Sequence, residues 1–151
     1  MIAEAKTTGE LTEPELAAWR GFLRAHSRLV RELDAELQRE HSLSLSSYDV
    51  LVHLAGARER RLRMSELADQ VLLTASGLTR LVDRLCREGL VARDRCASDA
   101  RGAFAVLTDE GAERFAEARR THLDGVRRLF LAELNEADMR RLAGIWERLD
   151  A

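Results

Sequence analysis

Residues 65–107 read SELADQVLLTASGLTRLVDRLCREGLVARDRCASDARGAFAVL and contain the most diagnostic pattern of the chain. Ser65, as N-cap, predicts a short helix from Glu66 to about Val71. After a brief turn, the second helix runs from Thr74 to Glu88 and stops at Gly89. Its apolar residues recur at helical spacing and are expected to face inward: Leu78, Leu81, Val82 and Leu85. Two short helices joined by a tight turn form a helix-turn-helix.

Two short β-prone runs follow this helix pair. They are Leu90–Arg93 and Ala103–Leu107, and the polar and small residues between them include Asp99 and Gly102, so a β-hairpin is expected. A helix-turn-helix followed by a β-hairpin is a winged helix. We therefore expect a winged helix-turn-helix over residues 44–107.

The start of this region is a further helix, Ser44–Ala57, capped by Ser46 or Ser47 and ended by Gly56. An arginine-rich stretch separates it from the helix at Ser65. We interpret its arginines as a solvated loop, with contact to a phosphate as the alternative for one of them: Arg58, Arg60, Arg61 and Arg63.

A long amphipathic helix is predicted from Thr12 to about Glu40, because Thr12 and Glu15 form a capping box with Pro14 in the first turn. Its apolar seam has coiled-coil-like spacing: Leu16, Trp19, Leu23, His26, Val30, Leu33 and Leu37. A helix of about 28 residues is roughly 40 Å long, more than the core of a small domain can cover. We expect part of the seam to contact another subunit, with packing inside one chain as the alternative.

Two more helices complete the chain. Thr108 begins one that runs to about Phe130, and Asn135 caps the last one. The predicted fold is mainly α with a small β-hairpin wing, in a single domain of residues 1–151. A length of 151 residues and 17.0 kDa leaves little room for a second core.

The composition excludes several classes of protein. Apolar residues make up 46% and charged residues 33%, which fits a folded globular chain. No apolar run approaches the roughly 20 residues that cross a bilayer, and residues 1–10 lack the apolar core of a signal peptide. We expect a cytoplasmic protein with no membrane contact and with two reduced thiols, Cys86 and Cys96.

No catalytic motif is found in the sequence. There is no glycine-rich phosphate loop, no H-E-x-x-H, no G-x-S-x-G elbow and no C-x-x-C, and the four histidines are scattered without metal-ligand spacing. We predict no enzymatic activity, no cofactor and no metal.

The charge distribution points to nucleic acid. The net charge is −2, yet residues 58–101 hold ten arginines against seven acidic residues, about +3, and leave about −5 elsewhere. This basic segment coincides with the predicted winged helix, whose second helix enters a major groove. Hydroxyls, a glycine that permits close approach and arginines one turn apart suit that role: Thr74, Ser76, Gly77, Thr79, Arg80 and Arg84.

The sequence resembles the MarR family of winged-helix transcriptional regulators over nearly its whole length. The resemblance is carried by S-x-L-T-R-L-V-D-R-L-x-x-x-G-L-V at residues 76–91, by Arg93-Asp94-Arg95, by Asp99-x-Arg101 and by Leu107-Thr108-x-x-Gly111. It implies an obligate homodimer on a pseudo-palindromic double-stranded operator. It also implies repression that is often relieved by a small anionic or phenolic effector.

The resemblance assigns roles to individual residues. Four match recognition-helix positions: Ser76, Gly77, Thr79 and Arg80. Arg101 matches the wing-tip arginine that enters the minor groove, and Asp99 would orient it, because a narrow minor groove concentrates negative potential. An ordinary turn ion pair is the alternative for these two. For Arg95, strand-end packing or phosphate contact stays open beside base contact.

The resemblance also places dimerisation in the helices of residues 12–40 and 109–151, and an effector near their junction with the winged helix. Pocket candidates are Trp19, Arg20, Arg24, His26 and His53, with plain packing as the alternative for the aromatic ones. Peroxide-sensing relatives carry a cysteine on the first helix, which this chain lacks, and a redox role of Cys96 is the lesser alternative to an unactivated thiol. The competing function is a dimeric helical interaction module with a vestigial winged helix.

Overall fold

The computed structural model describes residues 9–71, 73–95 and 103–151, and within them six α-helices and three β-strands. In chain order they are α1 Glu13–His41, α2 Leu45–Gly56, β1 Arg61–Arg63, α3 Met64–Gln70, α4 Ala75–Arg87, β2 Val91–Arg95, β3 Ala103–Leu107, α5 Asp109–Val126 and α6 Glu136–Leu149. A 3₁₀ turn, Arg58–Arg60, precedes β1, and a π-helical turn, Arg127–Leu131, follows α5. The prediction of a mainly α winged helix-turn-helix is confirmed.

Three of the long helices begin at the capping residues that the sequence predicts. The amide and hydroxyl of Thr12 donate to one carboxylate oxygen of Glu15 at 2.7 and 2.8 Å, which lowers the pKa of that carboxyl. The side chains of Thr108 and Asn135 each accept a first-turn amide at 3.0 Å, at the starts of α5 and α6. These caps fix where the chain turns into each helix.

The predicted cap of α2 is wrong by two or three residues. Ser44 is the cap, because its Oγ accepts the amide of Ser47 at 3.0 Å, and Ser46 lies inside the first turn. A carboxylate oxygen of Asp34 on α1 accepts the amide of Leu45 at 2.8 Å. That contact with α1 satisfies an amide at the start of α2.

The predicted cap of α3 is also wrong. The helix begins at Met64, directly after β1, and Glu66 accepts the amide of Arg63 at 2.9 Å. Ser65 therefore lies in the first turn, because the strand before it ends where the helix begins.

The wing is a three-stranded antiparallel sheet in the order β1-β3-β2. Leu62 of β1 pairs with Ala105 of β3, and Val91 of β2 pairs with Leu107. The predicted hairpin is confirmed, with β2 running from Val91 to Arg95. The sequence prediction missed β1 because a strand of three residues carries almost no periodic signal.

The solvated-loop interpretation of the arginines before α3 is wrong for at least two of them. Arg61 and Arg63 lie in β1, with their guanidinium carbons 3.9 and 4.9 Å from the ring centre of Phe104. Arg61 also forms an ion pair with Asp94. The Arg-Leu-Arg alternation places both charges on one side of the strand and Leu62 on the other.

The core lies inside the winged helix and is rich in leucine. Its largest fully buried side chains are Leu37, Leu43, Leu51, Leu54, Leu67, Leu78, Leu85, Leu90, Val50 and Val82. Burying each such side chain contributes about 1.5–3 kcal/mol. Helix α1 contributes only the end of its length to this core, and Ala118 contributes from α5.

Two glycines allow close approach around this core. Gly89 ends α4 with φ +76°, a left-handed conformation that favours glycine, as predicted. Gly111, in the first turn of α5, lies so close to the chain after α4 that an added Cβ would be 2.0 Å from the carbonyl oxygen of Leu90. Helix α5 therefore packs directly on the base of the wing.

Helix α5 ends earlier than predicted. It stops at Val126, and the π-helical turn carries the chain on. Beside that turn α1 crosses α5: Arg28 donates to the carbonyl oxygen of Leu129 at 3.3 Å, and Arg128 forms an ion pair with Glu36.

Large apolar side chains of α1, α6 and the turn before α6 remain exposed. We call this set the open apolar face: Trp19, Phe22, Leu23, Val30, Phe130, Met139, Ile145 and Trp146. The rings of Phe22 and Trp146 are 5.8 Å apart, so α1 and α6 meet along it.

Candidate nucleic-acid interface

Helix α4 is anchored on one side and open on the other. Leu78, Val82 and Leu85 are fully buried in the core, where α4 packs against α3 and β2. Thr79 and Arg80, on the other side, are exposed. The helix is thus held rigidly while its N-terminal half faces solvent, which is the arrangement of a recognition helix.

The first turn of α4 depends on Thr74. Its Oγ1 accepts the amide of Gly77 at 3.1 Å and lies 3.4 Å from the hydroxyl oxygen of Ser76. A Cβ at Gly77 would be 3.0 Å from that same Oγ1. The structure therefore gives Thr74 a structural role as a cap and leaves Ser76 exposed at the helix start.

Thr79 and Arg80 differ in how they are held. The Thr79 hydroxyl donates to the carbonyl oxygen of Ala75 at 2.9 Å. The side chain of Arg80 has no hydrogen bond or ion pair with another described residue, so its guanidinium is available for a phosphate or a guanine edge.

Arg84 and Arg80 border a groove of about 380 Å³ between the start of α2 and α4. Its walls are Ser44, Ser46, Leu73, Gly77, Arg80, Leu81 and Arg84. Arg84 donates to the Oγ of the buried Ser47 at 3.3 Å, and Ser44 donates to that same oxygen. Two guanidinium groups beside one groove attract an anion such as a backbone phosphate.

The sequence analysis named Ser47 only as a possible cap of α2 and missed its contact with Arg84. Its contact with Arg84 joins residues 37 positions apart. No local pattern reports such a pairing, because it follows from how α2 packs on α4.

The described part of the wing ends before its tip. Arg95 is the last residue of β2, where its backbone pairs with Ala103. The side chain of Arg95, together with Asp99, Arg101 and Cys96, lies outside the described residues. The wing roles of Arg95, Asp99 and Arg101 therefore stay predictions.

The five candidates for an effector pocket fall in two places within one protomer. Trp19 and His26 each lie about 6 Å from the ring of Phe22 on α1. Arg20 and Arg24 are exposed on the same helix.

His53 belongs instead to a cavity of about 280 Å³ between α2, α3 and β1. The cavity is lined by Val52, His53, Gly56, Ala57, Leu62 and Gln70. His53 lies 3.6 Å from a carboxylate oxygen of Asp49. A pocket that contains all five candidates stays a prediction.

Within the described parts of the chain, neither a reactive thiol nor a metal site is indicated. Burial raises the pKa of Cys86, which disfavours the reactive thiolate. Among residues 9–71, 73–95 and 103–151, no group of three or more His, Cys, Asp or Glu side chains is placed to hold a metal ion. None of the helices in that part of the chain is long and apolar enough to cross a membrane.

Comparisons with known proteins agree on one family. A family model described as MarR family matches residues 41–102. The HTH-type transcriptional repressor YetL of Bacillus subtilis (strain 168) is 30% identical over 110 residues, which make up 71% of this chain and 66% of the repressor.

Solved structures match over a greater length. Sco3205, a MarR family transcriptional regulator from Streptomyces coelicolor crystallised in complex with DNA, is 38% identical with a TM-score of 0.89, over 93% of this chain and 92% of that one. AbsC, a MarR family transcriptional regulator from the same organism, is 34% identical with a TM-score of 0.89, over 95% and 96% of the two chains.

Proposed function

The chain belongs to the MarR family of DNA-binding transcriptional regulators, and from that premise we propose that it is a homodimeric, sequence-specific repressor acting in the cytoplasm. Proteins of this family are transcriptional regulators and not enzymes, which confirms the prediction of no enzymatic activity. The observation that carries the proposal is the exposed N-terminal half of α4, held on a buried leucine core beside two arginines that border one groove.

Contact with DNA is assigned by position on α4. Ser76, Gly77 and Thr79 approach base edges in the major groove, while Arg80 reads a base or holds a phosphate. Arg84, tied to Ser47, holds a backbone phosphate beside the start of α2.

Other assignments extend this surface. Thr74 acts by capping α4. The wing adds minor-groove contact through Arg101 oriented by Asp99, and phosphate contact through Arg95. That Sco3205 was crystallised with DNA supports the same use of this fold here.

The partner that makes the protein a dimer is a second copy of the chain. The open apolar face is larger than scattered surface residues explain, and α1 with its 29 residues extends well beyond the core. A two-fold dimer presents two α4 helices, so the operator is pseudo-palindromic double-stranded DNA with half-sites about one helical turn apart.

The proposal includes repression of transcription and relief of that repression by an effector. YetL is a transcriptional repressor, which favours the same output here. A small anionic or phenolic effector near Trp19, Arg20, Arg24, His26 and His53 would change the spacing of the two α4 helices and weaken operator binding.

The test is fluorescence anisotropy of the purified protein with its own upstream DNA and with a scrambled duplex, at two salt concentrations. We expect salt-dependent binding that favours the native duplex by about 1,000-fold or more. Arg80→Ala should weaken that binding by about 1–3 kcal/mol, while Arg39→Ala, on exposed α1, should leave it unchanged. Absence of binding to both duplexes at low salt would favour the interaction-module alternative.

Effector relief is tested on the same complex with 4-hydroxybenzoate as the probe. Trp19 is one of the pocket candidates, so a ligand beside it should change tryptophan emission as it releases DNA. Unchanged operator affinity across millimolar additions of this and related phenolic acids would contradict an effector of this class.

A further inference from the structure

One arginine of the wing is bound to the recognition helix. Arg93 lies at the middle of β2, opposite Ala105 of β3. Its Nη2 donates to the Oδ1 of Asp83 at 2.8 Å and lies 3.5 Å from the carbonyl oxygen of Thr79. Thr79 and Asp83 are one turn apart on α4, so a single guanidinium spans the middle of the recognition helix and the centre of the wing strand.

We propose that Asp83 and Arg93 form a positioning pair that sets the angle of the wing relative to α4, so that both elements engage their grooves at once. This inference rests on the proposed DNA-binding function. Neither residue needs to touch DNA for the pair to act, because its effect passes through the geometry of the two elements that do.

A small change in this angle displaces the far end of the wing strand. The chain joins α4 to β2 through a short turn, Glu88–Leu90, and β2 then extends five residues, which is about 16 Å at a strand rise of 3.3 Å per residue. A tilt of about 10° at the base of such a strand moves its far end by roughly 3 Å. That displacement is as long as a hydrogen bond and is enough to break wing contacts while α4 stays in place.

A purely stabilising role fits the pair poorly. The side chains of Arg93 and Asp83 are 31% and 47% exposed, and ion pairs at such positions add little to folding stability. The core residues of α4 already hold the helix to the rest of the domain. What the pair adds is a fixed relation between two DNA-contacting elements.

The discriminating variant is Asp83→Asn, which is nearly isosteric and removes one negative charge beside the DNA-binding surface. General electrostatics predict tighter binding to DNA when such a charge is lost. The positioning pair predicts the opposite for the upstream duplex, since the amide holds the guanidinium more weakly than the carboxylate does.

The matched control is Asp69→Asn, which removes the same charge from an exposed position on α3. We expect Asp69→Asn to bind the upstream duplex as well as the wild type or a few-fold tighter, and Asp83→Asn to bind it about tenfold more weakly. Affinity for the scrambled duplex should not fall in either variant. Asp83→Ser, which also removes the carboxylate, is the second variant should Asp83→Asn fold poorly.

Footprinting of the bound DNA, with hydroxyl radicals for the minor groove, distinguishes a positioning role of the pair from a purely structural one. In Asp83→Asn, we expect protection of the sugars contacted by the wing in the minor groove to be lost, while protection of guanine N7 from dimethyl sulfate by α4 in the major groove persists. Binding of Asp83→Asn as tight as that of Asp69→Asn, or a footprint that weakens evenly, would overturn the positioning pair. Failure of the wild-type protein to bind the duplex would overturn the proposed function, and this inference with it.

Discussion

Large apolar side chains are buried in the winged helix but exposed on α1 and α6. Leu54 and Leu85 of the winged helix are fully buried by their own chain. On α1 and α6, Trp19 and Trp146 remain 53% and 39% exposed although they lie on equally regular apolar stripes. The winged helix buries its apolar residues within one chain, whereas α1 and α6 leave large apolar side chains exposed.

This difference teaches that an apolar stripe identifies a buried face without identifying what buries it. Within the winged helix, several elements close around one cluster. Along α1, only the end near Leu33 and Leu37 finds that cover in its own chain. We propose that a second copy covers the rest, with a free-energy gain that depends on protein concentration.

The largest expected effect is loss of the dimer in Val30→Glu. Val30 lies on the open apolar face, and two-fold symmetry introduces two buried carboxylates per dimer, each costing several kcal/mol. We expect the dimer to weaken by at least 1,000-fold, about 4 kcal/mol. Sedimentation velocity at micromolar concentration measures this.

The control is Ala35→Glu, which adds the same charge to an exposed position of the same helix. Five residues separate the two sites, which places them on different sides of α1. Dissociation by both variants, or by neither, would contradict the assignment of Val30 to the interface.

A core truncation should distinguish the two regions in folding stability. Leu54→Ala removes a fully buried side chain and should lower the free energy of unfolding by about 2–5 kcal/mol. Leu149→Ala, at a residue that is 70% exposed on α6, should cost less than about 1 kcal/mol. Urea titrations at one protein concentration compare them, and equal costs would remove the distinction between closed and open regions.

A glycine substitution tests how tightly α5 packs on the wing base. A Cβ at Gly111 would lie 2.0 Å from the Leu90 carbonyl oxygen and 2.7 Å from Leu107, so Gly111→Ala should cost about 1–3 kcal/mol. Gly21→Ala is the control, because Gly21 lies in α1 with nothing within 4 Å of an added Cβ. There the substitution should stabilise the helix by about 0.5–1 kcal/mol, and a shared sign for both variants would contradict the packing.

The smallest expected effect is a dependence of stability on pH through His122. Burial lowers its pKa below the usual 6.5, only partly opposed by the charge of Asp49. Its ring lies 4.6 Å from that of Tyr48, and its Nδ1 has no hydrogen-bond partner among the described residues.

The unfolded chain therefore takes up a proton at this residue more readily than the folded protein does. Stability should fall as the pH drops through about 6.5. His122→Phe should flatten that part of the profile. Urea midpoints at pH 7.5 and 5.5 measure it, and an identical fall in both proteins would exclude His122 as the cause.

Many helix boundaries were predictable from the sequence because their signals are local. Three helices begin at residues whose side chains cap helix starts, namely Thr12, Thr108 and Asn135. Gly89 ends helix α4 and adopts the left-handed conformation that favours glycine. Strand β1 was not predictable, since three residues hold too little pattern and its pairing with β3 spans more than 40 residues.

In the candidate interface too, the sequence indicates some residues but not the contacts between distant ones. Thr79 and Arg80 could be proposed as DNA contacts from residue type and helical position. The links of Arg84 to Ser47 and of Arg93 to Asp83 could not, because each joins two elements whose relative placement follows from the packed core.

Sedimentation equilibrium of the unmodified protein at micromolar concentration measures whether a second copy completes the open apolar face. We expect a single species at twice the chain mass of 17.0 kDa. A folded protein that sediments at 17.0 kDa, with its far-ultraviolet helix signal intact, would contradict the homodimer and the reading of α1 and α6 as half of a shared core.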